Sequence, residues 1–117
     1  MSTHDSGVDA LIEAYVAARA GQRGIDAYAW LVGVLRADHG SHSSIVRHVS
    51  STAVVTTVGG ASVLHCLSGD TADAAIVIDL ARELHVGAQI RGLALPGDRA
   101  TKNLFEEARM PAQVLLH

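Results

Sequence analysis

The chain has 117 residues, 49% of them hydrophobic but only 3% aromatic, which suits one domain with a core of Val, Leu, Ile and Ala. Its net charge is −3, its basic residues are scattered and Lys102 is the only lysine, which argues against nucleic acid as a partner, because such affinity comes from neutralised phosphates. No apolar stretch approaches membrane-spanning length, the opening MSTHDSGVDA lacks the pattern of a secretory signal, and a lone Cys66 forbids an intrachain disulfide; a soluble, cytoplasmic protein with no membrane contact is expected.

Residues 1–5 read as a disordered start. Ser6 is placed to cap a helix over 7–20, on which Val8, Leu11, Ile12, Tyr15 and Val16 form a stripe. GQRG (21–24) breaks it, and a second helix follows over 25–37. Its apolar residues Tyr28, Leu31, Val32 and Leu35, with Trp30 and Val34 beside them, nearly encircle it. So short a break predicts an antiparallel helical hairpin. DHGSHSS (38–44) reads as a polar loop and 45–49 as one more helical turn.

TAVVTTV (52–58) and ASVLHCL (61–67) flank Gly59-Gly60, a strong hairpin signal that predicts a type I′ turn with positive φ at both glycines. Residues 61–95 then read as strand, loop, long helix and strand, a βαβ crossover around which the rest is organised. Thr71 or Asp70 is placed to cap the helix, expected over 71–86 with Ile76, Val77, Leu80, Ala81 and Leu84 on an apolar face that Ala74, Ala75 and Ile78 widen. Pro96-Gly97-Asp98 turns the chain, Asp98 is placed to cap a helix reaching about residue 109, and AQVLLH (112–117) is a last strand. The expected class is α/β: a single domain ordered α-α-β-β-α-β-α-β, with an N-terminal helical hairpin and a four-stranded mixed sheet. Its crossovers should be right-handed, and the helix pair should cover the sheet face they leave open.

The segments LARELHVGAQIRGLAL (80–95) and ATKNLFEEARMPAQVLLH (100–117) carry two resemblances, both over about half of the chain. Residues 61–117 resemble the anticodon-binding domain of class II aminoacyl-tRNA synthetases of the histidyl type. That implies a fold and an RNA contact at Lys102, beside which stand Glu106 and Glu107; no synthetase catalytic motif is present. The same half is similar to a STAS domain, the regulatory module of anti-sigma-factor antagonists. This resemblance implies a phosphorylatable hydroxyl at a strand-to-helix turn, near Ser68 or Thr71, where GDTAD stands in place of the family's Asp-Ser-Ser-Gly.

Two constellations bear on chemistry. Asp38, His39, His42 and His48 supply enough ligands for zinc if they converge. The other is the edge where parallel strands end, since open α/β sheets bind ligands there. It holds Ser68, Gly69, Asp70 and Thr71 before one helix, and Gly97, Asp98 and Arg99 before the next. His65 and Cys66, as strand neighbours, should point to opposite faces and not serve one site. No Walker loop, dinucleotide-binding glycine pattern or nucleophile elbow occurs. The sequence is read as a binding or regulatory module acting through a protein partner or small ligand, with no cofactor and no catalysis of its own. The alternatives are an enzyme using the histidine cluster and an RNA-contacting module. A homodimer is expected, through the strand at 112–117 or the helix bearing Trp30 and Val34.

Overall fold

The computed structural model describes residues 3–85, 87 and 89–114. These form, in order, β1 (Thr3–His4), α1 (Val8–Ala18), α2 (Ile25–Ala37), β2 (His42–His48), β3 (Ser51–Val58), β4 (Ala61–Ser68), α3 (Thr71–Leu84), β5 (Gln89–Ala94), α4 (Arg99–Glu107) and β6 (Ala112–Val114). The strands lie side by side in chain order as one mixed sheet. β2, β3 and β4 run antiparallel, β4, β5 and β6 parallel, and the two-residue β1 pairs parallel to β2.

The α/β class matches the sequence reading, but the sheet is wider than the four strands expected. The supposed polar loop and helical turn over 38–49 contain β2, which pairs with β3 along its whole length. Its polar residues are compatible with a sheet because they find partners there: buried Ser43 shares a 2.9 Å hydrogen bond with Thr56 on β3. Thr3 and His4, expected to be disordered, extend the same edge. The predicted helix end at residue 86 and the predicted strand residues 115–117 lie outside the described residues.

One helix pair covers each face. Tyr15, Tyr28 and Val32 from α1 and α2 pack with Val54, Leu93 and Leu95 on one side of the sheet. Val77, Ile78 and Ala81 of α3 and Leu104 and Phe105 of α4 pack on Val55, Leu64 and Ala94 on the other. The first pair is antiparallel: Tyr15 stacks on Tyr28 with ring centres 5.1 Å apart, while Arg36 at the end of α2 pairs with Asp9 at the start of α1. On α3 the buried face is narrower than the expected one. It centres on Ala74, Val77, Ile78 and Ala81, leaving Leu80 partly buried and Leu84 68% exposed. Small Ala74 and Ala81 let the helix approach the sheet, which the larger but outward Ile76 and Leu84 would prevent.

The Gly59-Gly60 hairpin forms, with Val58 opposite Ala61. Only Gly59 takes positive φ (62°), the pattern of a type II′ turn rather than type I′. Helix starts also differ in detail. Gly7, not Ser6, occupies the N-cap of α1, and Asp70 occupies that of α3 without a side-chain capping bond.

Gly92 on β5 lies against the fully buried ring of Phe105, and a methyl group added there would overlap three ring carbons. Gly92→Ala should therefore cost about 1–3 kcal/mol in a urea melt, as overpacking does. Phe105→Leu should relieve part of that cost, so the double variant should lose less than the two single losses combined. Strict additivity would mean that the two positions do not touch.

Candidate ligand site at the carboxyl edge of the sheet

The parallel strands β4 and β5 end at neighbouring points, and each hands the chain to a helix. At the first exit Gly69 takes φ 102°, a conformation open chiefly to glycine. An added Cβ would lie 2.6 Å from the Ser51 Cα and collide with the Ser50 carbonyl oxygen. The β2–β3 turn is thus pressed against the start of α3. Ser50 holds the contact: its hydroxyl accepts from the Asp70 N–H (3.1 Å) and donates to the Asp73 carboxylate (2.6 Å), which also accepts from the Ser50 N–H (3.2 Å). These two bonds hold the Asp73 carboxyl below its ordinary pKa.

At the second exit Asp98 caps α4 as the sequence predicts, accepting from the Thr101 N–H (3.1 Å) and the Thr101 hydroxyl (2.7 Å). The third contributor comes from the opposite layer. Arg19, just past the end of α1, donates from Nη1 to the Tyr15 carbonyl at 3.1 Å, and its guanidinium carbon lies 3.6 Å from the Tyr15 ring centre.

Three cavities meet around Arg19. One of about 140 Å³ lies between Arg19 and the loops, lined by Ser68, Gly69, Thr71, Asp98 and Thr101. A second, of about 390 Å³, is lined by Ala18, Arg19, Gln22, Gly97 and Asp98. The third, about 220 Å³, runs under α1 past Tyr15 to Cys66 and Ser68. Of the predicted edge residues, Ser68, Gly69, Thr71, Gly97 and Asp98 line this cleft. Asp70 and Arg99 are exposed and line none of the three cavities. Arg19, Gln22 and Thr101 were not identified from sequence. Thr101 stands three residues after a predicted cap, which is a usable signal; nothing local links Arg19 to residue 98.

Behind the cleft runs a buried polar chain. Ser43 bonds Thr56, Thr56 bonds His65 Nε2 at 2.9 Å, and His65 Nδ1 lies 3.3 Å from Cys66 Sγ. The expectation that His65 and Cys66 point to opposite faces is therefore incorrect. Ala53 alone on β3 stands across from Cys66 and Leu67, and Cys66 takes φ 58°. This bulge rotates Cys66 onto the face of His65 and sends Leu67 into the other core. The Tyr28 hydroxyl accepts from the Cys66 N–H at 2.7 Å and satisfies the distorted backbone. Burial pulls the His65 pKa down to about 3 and pushes the Cys66 thiol up to about 12. Both are neutral near pH 7, so they form no thiolate–imidazolium pair.

The histidines of the proposed metal cluster are not brought together. His42 and His48 are the two ends of β2, roughly 20 Å apart at about 3.3 Å per residue. His42 lies near His85, whose pKa is lowered by its partial burial and then by His42; Asp38 and His39 are exposed before the strand. Among the described residues no group of three His, Cys, Asp or Glu side chains is arranged to hold a metal ion.

Fold and site together define an α/β protein with helices on both faces of a mixed sheet and a small polar cleft over its carboxyl edge. No family model matches the sequence, and neither a curated protein nor a solved structure matches the chain. No helix among the described residues is long and apolar enough to cross a membrane.

Proposed function

We propose that this chain is a small binding or regulatory module, acting through a small ligand or protein partner at the carboxyl edge of its sheet, without catalysis of its own. One observation carries the reading: cavities from both helical layers meet at Arg19, between the loops that follow β4 and β5. Ligands of open α/β sheets bind outside the strand carboxyl ends, where loops vary while the sheet holds them in place. The neutral, hydrogen-bonded His65 and Cys66 support a structural task for that pair. The resemblance of residues 61–117 to a STAS domain favours regulation, and Thr71 is an exposed first residue of α3. The metal-dependent alternative has less support, with His42 and His48 at opposite ends of a strand. So has RNA contact, with Glu106 and Glu107 exposed on the helix of Lys102.

Amide spectra recorded while small polar metabolites are added test the proposal. The amides of Ser68, Gly69, Thr71 and Asp98 should move first. Binding that leaves them still and moves another face would refute the edge as the site.

A second reading, self-association, rests on its own observation. Trp30 is 69% and Val34 47% exposed, four residues apart on the outer side of α2, while β6 is an edge strand. We expect a homodimer that buries one of these surfaces, with closed two-fold symmetry. Light scattering at micromolar concentration should return twice the chain mass, and either Trp30→Glu or Val114→Lys should halve it. A monomer mass for the unaltered protein would remove both interfaces. A cytoplasmic location accords with a single cysteine that is buried and free.

A further inference from the structure

Two opposite charges face the same cleft and do not meet. Arg19 is anchored to Tyr15, through the carbonyl at 3.1 Å and the ring at 3.6 Å. Asp98 is anchored separately, by the N–H and hydroxyl of Thr101. Both residues line the cavities of about 140 and 390 Å³, yet no ion pair joins them.

Each group keeps unused capacity. A guanidinium has five N–H donors and a carboxylate about four acceptor sites, so the bonds named above leave both able to take a ligand. A simple anion drawn to Arg19 would be repelled by Asp98, and a simple cation would meet the reverse. A molecule carrying both signs satisfies both walls at once. Cavities at and below the small end of the drug-sized range favour a ligand of few atoms. Because each charge is already held in place, less side-chain freedom is lost on binding.

The geometry points to a small zwitterion of the amino-acid class as the ligand of this cleft, its carboxylate on Arg19 and its ammonium on Asp98. This inference rests on the edge being a binding site and narrows its ligand.

The test titrates the proteinogenic L-amino acids, each beside its α-amide and its N-acetyl derivative, by calorimetry and by melting temperature. At least one amino acid should bind and raise the melting temperature, with both blocked forms weaker by roughly tenfold or more. Arg19→Gln and Asp98→Asn should each lose that binding. The second should keep the fold, because Asn caps helices about as well as Asp. If no amino acid binds, or a blocked form binds as tightly as its parent, the zwitterion is wrong. The wider reading is then decided separately by amide spectra. Edge amides that move with uncharged or singly charged metabolites would keep the site and discard this ligand class, and edge amides silent under every probe would remove both.

Discussion

Acidification should destabilise this protein steeply, by about 1.4 kcal/mol for each pH unit below 6.5 through His65 alone. His65 is fully buried between Thr56 and Cys66, with the positive charge of Arg36 near enough to oppose a second one. Its folded pKa is pulled from 6.5 to about 3, by burial first and Arg36 second. Between those values the unfolded chain binds a proton that the folded chain refuses. Stability therefore rises with pH across the window and is lost as pH falls through it. His85, lowered for the same first reason, acts in the same sense. The hydrogen-bonded Asp73 does too, since its stabilisation disappears as pH falls through its depressed pKa. Urea midpoints measured from pH 7 down to 4 should follow this course, and His65→Gln should flatten the slope. Imidazole nitrogen spectra give an independent reading. In the folded protein the His65 ring should stay neutral through pH 5, and a ring that titrates near 6.5 would contradict its burial.

The second large effect is expected at Gly69. An alanine there would take φ 102° and press its methyl into the backbone of Ser50 and Ser51. A side chain could rotate away; backbone in the β2–β3 turn cannot. Strain at a φ reserved for glycine and overpacking against a rigid neighbour together suggest a loss of about 3–5 kcal/mol. Relief requires the turn to withdraw, which would break the Ser50 bonds to Asp70 and Asp73 at the start of α3. Gly69→Ala should then also lift the depressed Asp73 pKa towards its ordinary value, a change visible in carboxyl carbon shifts. A loss below 1 kcal/mol with Asp73 unmoved would show that the turn and the helix start are not locked together.

Much of the architecture is legible in local patterns. The bounds of α2, the Gly59-Gly60 hairpin, the β4–α3–β5 crossover and the Asp98 cap each depend on residues a few positions apart, so turn chemistry and periodicity suffice to find them. The two exits at Ser68–Thr71 and Gly97–Asp98 are legible for the same reason, because every parallel crossover puts a loop at the carboxyl edge. Tertiary structure decided the rest. β2 is a strand because β3 lies beside it and answers Ser43 with the Thr56 hydroxyl; alone, its polar residues fit a loop equally well. Cys66 joins His65 because a bulge, one residue longer on β4 than on β3, overrides strand alternation, and Tyr28 from 38 residues away satisfies the freed amide. Arg19 reaches the cleft because α1 packs across the sheet and ends above the loops of the opposite layer. Local sequence sets which backbone shapes are cheap, whereas strand partners and side chains that meet across a core are chosen by long-range burial, which leaves no mark in any short window of the chain.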